Sequence, residues 1–270
     1  MQAVAPPHSS WQELLASPAS GSHLLQMYGC QDFLAAGVAH FVVEGLRRGE
    51  AVLLSGTAIH LARIRAQLSR LDVDLDAAQR HGLVALGPVE EVLASLTANG
   101  ALRKEDFSAL IDQVLQATRA RADWTGVRWW AEFANTVHAA GDEACALRIE
   151  EAAAEAADRH GISIFCSAQC DRFDARHYPA LERLCRMHTH IIPANDYAGH
   201  RIAVNRAIAE EIGELRGSHL HALSNWKGLA CELPSSQALL FWLREAMPER
   251  FEAVLARAKS YVRPATAAGA

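Results

Sequence analysis

No Gly-Lys-Ser or Gly-Lys-Thr run occurs anywhere in this sequence. A lysine that reaches the terminal phosphates from a glycine-rich turn is therefore missing, which excludes nucleotide hydrolysis by the phosphate-loop mechanism. No apolar run approaches the roughly 20 residues of a membrane span, so no partnership with a membrane is expected. Basic charge is not in excess: the net charge is −5, and no global positive field argues for direct binding to DNA. The first ten residues contain neither Lys nor Arg nor an apolar core, so they do not read as a secretory signal. Cysteines are few for 270 residues: Cys30, Cys145, Cys166, Cys170, Cys185 and Cys231. They are too sparse for a disulfide scaffold, and the expectation is a cytoplasmic chain in a reducing compartment.

What is present is apolar residue in quantity. Hydrophobic residues make up 50% of the chain, enough for a sizeable core. Residues 1–21 read as a punctuated lead-in in which Trp11 to Leu15 form one helical turn. Strands are expected at His23–Tyr28, Ala51–Ser55, Leu83–Leu86, Val127–Ala131, in the run from Ile162 to Phe173, and at His190–Pro193. Between them lie helical segments at about 33–47, 58–71, 74–81, 88–98, 104–122, 143–160 and 178–187, with Asp32 as the N-cap of the first. Asn99-Gly100 is a break. Alternation of this kind implies an α/β fold whose mostly parallel sheet has helices on both faces. From about residue 197 only helices are expected, near 200–216, 235–246 and 248–261, with a weak segment near 219–231 and a frayed tail from Ala265 to Ala270. The domain reading is thus an α/β body over 22–196 and a helical appendage over 197–264.

The turn after the first strand, Gly29-Cys30-Gln31-Asp32, places an acid where a phosphate would sit. In an open α/β sheet, ligands bind beyond the carboxyl ends of the strands. That rule selects Tyr28, Cys30, Glu132, Cys166, Gln169 and Asp171 as candidate ligand-binding residues. Trp129 and Trp130 alternate across the fourth strand, so one ring faces each side of the sheet. Glu132, His138 and His177 are the residues suited to acid–base work. No nucleophile–base pair stands at a diagnostic spacing, so the chain is read as non-catalytic and no cofactor is expected. Cys166, Cys170, Cys185 and His188 form an alternative metal set, because thiolates and imidazoles suit zinc. Their spacing is not that of a zinc finger.

The dispersed pattern His23…Tyr28, Phe33-Leu34…Gly37…Phe41…Gly45-Leu46-Arg47-Arg48-Gly49-Glu50 and a following apolar strand resembles the start of the MEDS domain. This is the methanogen/methylotroph, DcmR-type sensory domain. Phe165 to Phe173 is similar to that family's strand and Cys-Gln-Tyr-Asp-like turn, and His188…His190-Ile191-Ile192-Pro193 to its closing segment. The resemblance covers about 22–196. It implies a RecA/KaiC-like body without its phosphate loop, and a small-molecule sensory role in bacterial signalling or transcriptional control. Two departures stand out. Cys170 occupies a position where the family commonly has Tyr, and no fused kinase or DNA-binding module is evident. The C-terminal helices are then the expected contact to a protein partner or a second copy. A cysteine/histidine metal or redox enzyme, and a scaffolding subunit, are the alternatives.

Overall fold

A computed structural model describes residues 11–97, 101–194, 197–213 and 234–262. The first ten residues of the lead-in, the Asn99-Gly100 break, the weak segment near 219–231 and the tail from Ala265 lie outside the described residues. The elements run α1 (Trp11–Ala16), β1 (His23–Tyr28), α2 (Gln31–Arg47), β2 (Ala51–Gly56), α3 (Ala58–Arg70), α4 (Leu75–Arg80), β3 (Val84–Pro88), α5 (Val89–Thr97), α6 (Lys104–Arg119), β4 (Val127–Ala131), α7 (Phe133–Ala139), α8 (Glu143–His160), β5 (Ser163–Gln169), a 3-10 turn (Ala175–His177), α9 (Tyr178–Met187), β6 (His190–Ile192), α10 (Tyr197–Ile212), α11 (Ser235–Ala246) and α12 (Pro248–Tyr261). They divide into two compact units, Met1–Gln169 and Cys170–Ala270.

In the first unit the strands lie in the order β3-β2-β4-β5-β1, and each neighbouring pair is parallel. Parallel strands buried on both faces should read as near-continuous apolar runs, and β1 and β2 are buried at every position. The alternation of side chains sorts these residues onto two faces. Leu24, Gln26 and Tyr28 of β1 share a face with Phe165 and Ser167 of β5 and with Arg128 and Trp130 of β4. Helix α2 covers this face. Phe41 packs edge-on to Phe165 at 5.2 Å. A Cβ on Gly37 would stand 2.7 Å from the Gln26 side chain, and one on Gly45 would stand 2.7 Å from Cδ of Arg128. The two glycines let the helix approach the sheet that closely. His23, Leu25, Ile164, Cys166, Trp129 and Ser55 point the other way. There Trp129 Nε1 donates to Ser55 Oγ at 3.0 Å, and α7 and α8 provide the cover.

Two expectations need correction. Asp32 is not the N-cap of α2: the helix begins at Gln31, Cys30 occupies the cap without a side-chain hydrogen bond, and Asp32 pairs instead with Arg63 at 3.0 Å. A helix that the periodicity did not suggest, α7, follows Glu132 at once. It is a two-turn segment whose Phe133 anchors it against Trp129 (6.4 Å) and Phe107 (5.1 Å).

The second unit has its own core. Tyr178 is fully buried, edge-on to Phe241 at 5.9 Å and to Phe251 at 4.8 Å. Its hydroxyl donates to the Arg172 carbonyl at 2.7 Å, and burial pushes its pKa well up. Leu239, Leu240, Phe241 and Leu243 are buried, which explains an apolar run wider than one helix face.

Candidate functional site

Glu132 follows β4 directly, and its backbone N–H continues the ladder by donating to the Ser55 carbonyl at 2.9 Å. It is the N-cap residue of α7 but makes no capping bond with its side chain. The carboxylate turns inward instead and is fully buried. Three groups converge on it. The Thr57 N–H donates at 3.2 Å, His60 Nδ1 lies at 2.7 Å, and Ser167 Oγ donates at 3.4 Å. Thr57 caps α3 and accepts from the His60 N–H with its own hydroxyl. The carboxylate therefore faces a helix N-terminus, where the backbone dipoles favour negative charge. Gly56 makes the approach possible. A Cβ there would meet the Trp130 ring at 2.4 Å and a Glu132 oxygen at 3.1 Å.

The other ring nitrogen of His60, Nε2, contacts the Gln31 side-chain oxygen. With His60 Nδ1–H donating to Glu132, the Gln31 amide can meet Nε2 with either its oxygen or, turned end for end, its NH2 group. The Tyr28 ring stands edge-on to His60 at 6.0 Å. Asn135 Nδ2 donates to Tyr28 Oη at 3.4 Å, and Asn135 Oδ1 accepts from the Gln169 N–H at 3.2 Å. One polar network thus joins the carboxyl ends of β1, β2, β4 and β5.

Of the residues selected from sequence, Tyr28, Glu132 and Gln169 come together here. Cys30 is exposed at the start of α2, next to Gln31. Cys166 lies on the opposite face of the sheet and does not join them. Asp171 belongs to the second unit, where it accepts from the Phe173 N–H at 2.9 Å and pairs with Lys259 at 3.1 Å. Of the alternative metal set, only Cys166 lies in the first unit. Cys170 is partly exposed and Cys185 buried in the second, where His188 Nδ1 stands 2.7 Å from the Leu184 carbonyl. His138 is exposed and His177 is in the second unit; the imidazole in contact with Glu132 is that of His60. Gln31, His60 and Ser167 were not selected. A signal for His60 was available: it stands three residues after a capping Thr in the first turn beyond β2, where side chains face the strand ends.

Cys166 has partners of its own. Its Sγ lies 3.3 Å from His23 Nε2, and the same nitrogen lies 3.3 Å from Glu150 Oε2 on α8. Burial, and then the Glu150 carboxylate, push the thiol pKa well up, so Cys166 is not a ready thiolate. A cavity beside α5 and α6, lined by Ser95, Leu96, Arg103, Asp106 and Gln113, touches neither group.

The Glu132 group brings a carboxylate, an imidazole, a hydroxyl and a backbone N–H together at one point. Ser167 Oγ bonds the carboxylate rather than the imidazole, so the serine–imidazole contact of a nucleophilic relay is not made here. The family model described as MEDS, the methanogen/methylotroph, DcmR sensory domain, matches residues 22–189. No curated protein matches the chain. Among solved structures, a KaiC-like protein from the hyperthermophilic archaeon Pyrococcus horikoshii is similar at 12% identity and a TM-score of 0.42, covering 64% of this chain and 71% of that one.

Proposed function

The chain belongs to the MEDS family of sensory domains, and from that premise we propose that it binds a small organic molecule at the carboxyl edge of its sheet, with Glu132 and His60 as the polar anchor. The observation that carries this is the fully buried carboxylate, held between a helix N-terminus and an imidazole. A buried charge is costly unless paired and hydrogen-bonded, and this group commits much of its polarity to one spot. Two further polar atoms support the placement. Gln26 Oε1 and Trp130 Nε1, on the same face, are buried with no hydrogen-bond partner among the described residues. Each such atom costs about 1–3 kcal/mol when it stays unpaired. The ligand is accordingly a compact molecule with an apolar body and one or two hydrogen-bonding groups. Binding is non-catalytic. Its signal leaves through the C-terminal helices to a protein partner or a second copy, in signal transduction or transcriptional control.

The test is a thermal-shift screen of small alcohols, amines, ketones and carboxylic acids against the full chain, followed by calorimetry on any hit. E132Q and H60N should each weaken a hit by at least about tenfold, which is roughly 1.4 kcal/mol, with the circular dichroism unchanged. Unchanged affinity in both variants would sink the placement.

A further inference from the structure

On the face of the sheet away from Glu132, three side chains of different chemistry meet in the interior: an imidazole from β1, a thiol from β5 and a carboxylate from α8. His23, Cys166 and Glu150 are 2%, 5% and 3% exposed. We propose that these three residues form a binding site for a borderline-soft divalent cation, zinc in the first instance. The donor set is nitrogen, sulfur and oxygen, the combination zinc takes in proteins. The spacing fits as well. Bonds of about 2.0–2.3 Å at tetrahedral angles place neighbouring donors roughly 3.3–3.6 Å apart. His23 Nε2 is 3.3 Å from Cys166 Sγ and 3.3 Å from Glu150 Oε2, and the three donor atoms all lie within 4.8 Å of one another.

Charge balance supports the same reading. A dication with one thiolate, one carboxylate and one neutral imidazole sums to zero, the state a buried site tolerates best. Binding breaks the Cys166 S–H bond, the proton leaves to solvent, and the freed electron pair binds the metal. The donors are also held in place beforehand. β1 and β5 are hydrogen-bonded in register, with His23 opposite Ile164 and Leu25 opposite Cys166, and α8 packs on both strands. These three donors supply three of the four tetrahedral positions that zinc takes. The site is separate from the sensing residues and stands whether or not a small molecule binds there.

The experiment uses the full chain, stripped with a chelator and titrated with Zn²⁺ and with Co²⁺. One ion per chain is expected by native mass spectrometry, with a thiolate-to-cobalt charge-transfer band in the near ultraviolet. C166S should abolish that band and weaken binding by at least about tenfold, and H23Q should weaken binding similarly. The double variant C30S/C170S, which removes the two accessible thiols among the described residues, should keep both band and affinity. X-ray absorption at the zinc edge of the unaltered chain requires no variant to fold, and should give one sulfur with nitrogen and oxygen donors. Overturning results are an ion content well below one per chain, binding that survives C166S or fails in C30S/C170S, or a sulfur count of zero or of two and more.

Discussion

Arg128 sits in the middle of an apolar strand and is 1% exposed. Its guanidinium pairs with Glu50 and donates to the Leu15 carbonyl at 2.7 Å, the Ala16 carbonyl at 2.8 Å and the Phe41 carbonyl at 3.3 Å. It also lies over the Phe41 ring at 5.1 Å. Burial lowers its pKa, and Glu50 pulls it partly back. Removing one partner of a buried pair leaves the other charge and three carbonyls without their donor. R128M should therefore lose about 3–5 kcal/mol in urea unfolding. Gly45 is coupled to the same side chain, since a Cβ there would stand 2.7 Å from Cδ of Arg128. G45A should cost about 1–3 kcal/mol by overpacking. In the double variant the two losses should fall short of their sum, because the shortened side chain removes the clash. Full additivity would show that the two residues do not touch. Nothing in the run Val127-Arg128-Trp129 discloses this role. A charged residue inside an apolar strand signals a partner, but the partner here is a carbonyl of α1 more than a hundred positions away.

At the scale of elements, local chemistry carried further. Thr57, Asp74 and Asp142 each accept a hydrogen bond from a backbone N–H of the helix they precede, as short polar residues before a helical run are expected to. Asp142→Ala should lower stability by about 1 kcal/mol through α8. A different device ties α10 to α12. Glu210 accepts from Tyr261 and pairs with Arg206 and Arg257. The Tyr261 hydroxyl, then Arg206, hold its carboxyl down to about 2. A depressed carboxyl contributes stability that is complete above its ordinary value near 4.5 and is lost as pH falls toward about 2. Thermal midpoints should drop across that window, and E210Q should flatten this part of the drop. Because the group is half-exposed, salt should reduce the difference. The elements that sequence misjudged were short or locally ambiguous. α7 is seven residues long and contains the β-branched Thr136 and Val137. It is helical because Phe133 packs against Trp129 and Phe107, a tertiary cause that periodicity does not report.

Across the whole molecule, two buried polar groups stand on opposite faces of one parallel sheet. Glu132 with His60 lies under the start of α3, and His23 with Cys166 lies under α8. Hydrogen exchange should separate them. A small-molecule ligand should slow exchange in the first turns of α2 and α3 and at the end of β5, while zinc should slow it at the start of β1 and in the middle of α8. Protection of both regions by either addition would show that the two groups are not independent. Among the described residues no helix is long and apolar enough to cross a membrane, in keeping with the composition.

By itself the sequence determined which segments are strands and which are helices, α7 excepted, because hydrophobic period, caps and breakers are local properties. β1, β4, α8 and α9 begin and end where that reading puts them. It also determined parity: once β5 is a strand, Cys166 and Ser167 must face opposite ways, so a single pocket containing both Cys166 and Glu132 was never available. Only the tertiary structure decided which side chains meet. His60 and Glu132 are 72 positions apart, and His23 and Cys166 are 143 apart. They touch because β4 lies between β2 and β5, and β5 lies beside β1. Strand order is set by how helices and strands pack to bury their apolar faces, a cooperative result of the whole chain that no local window contains.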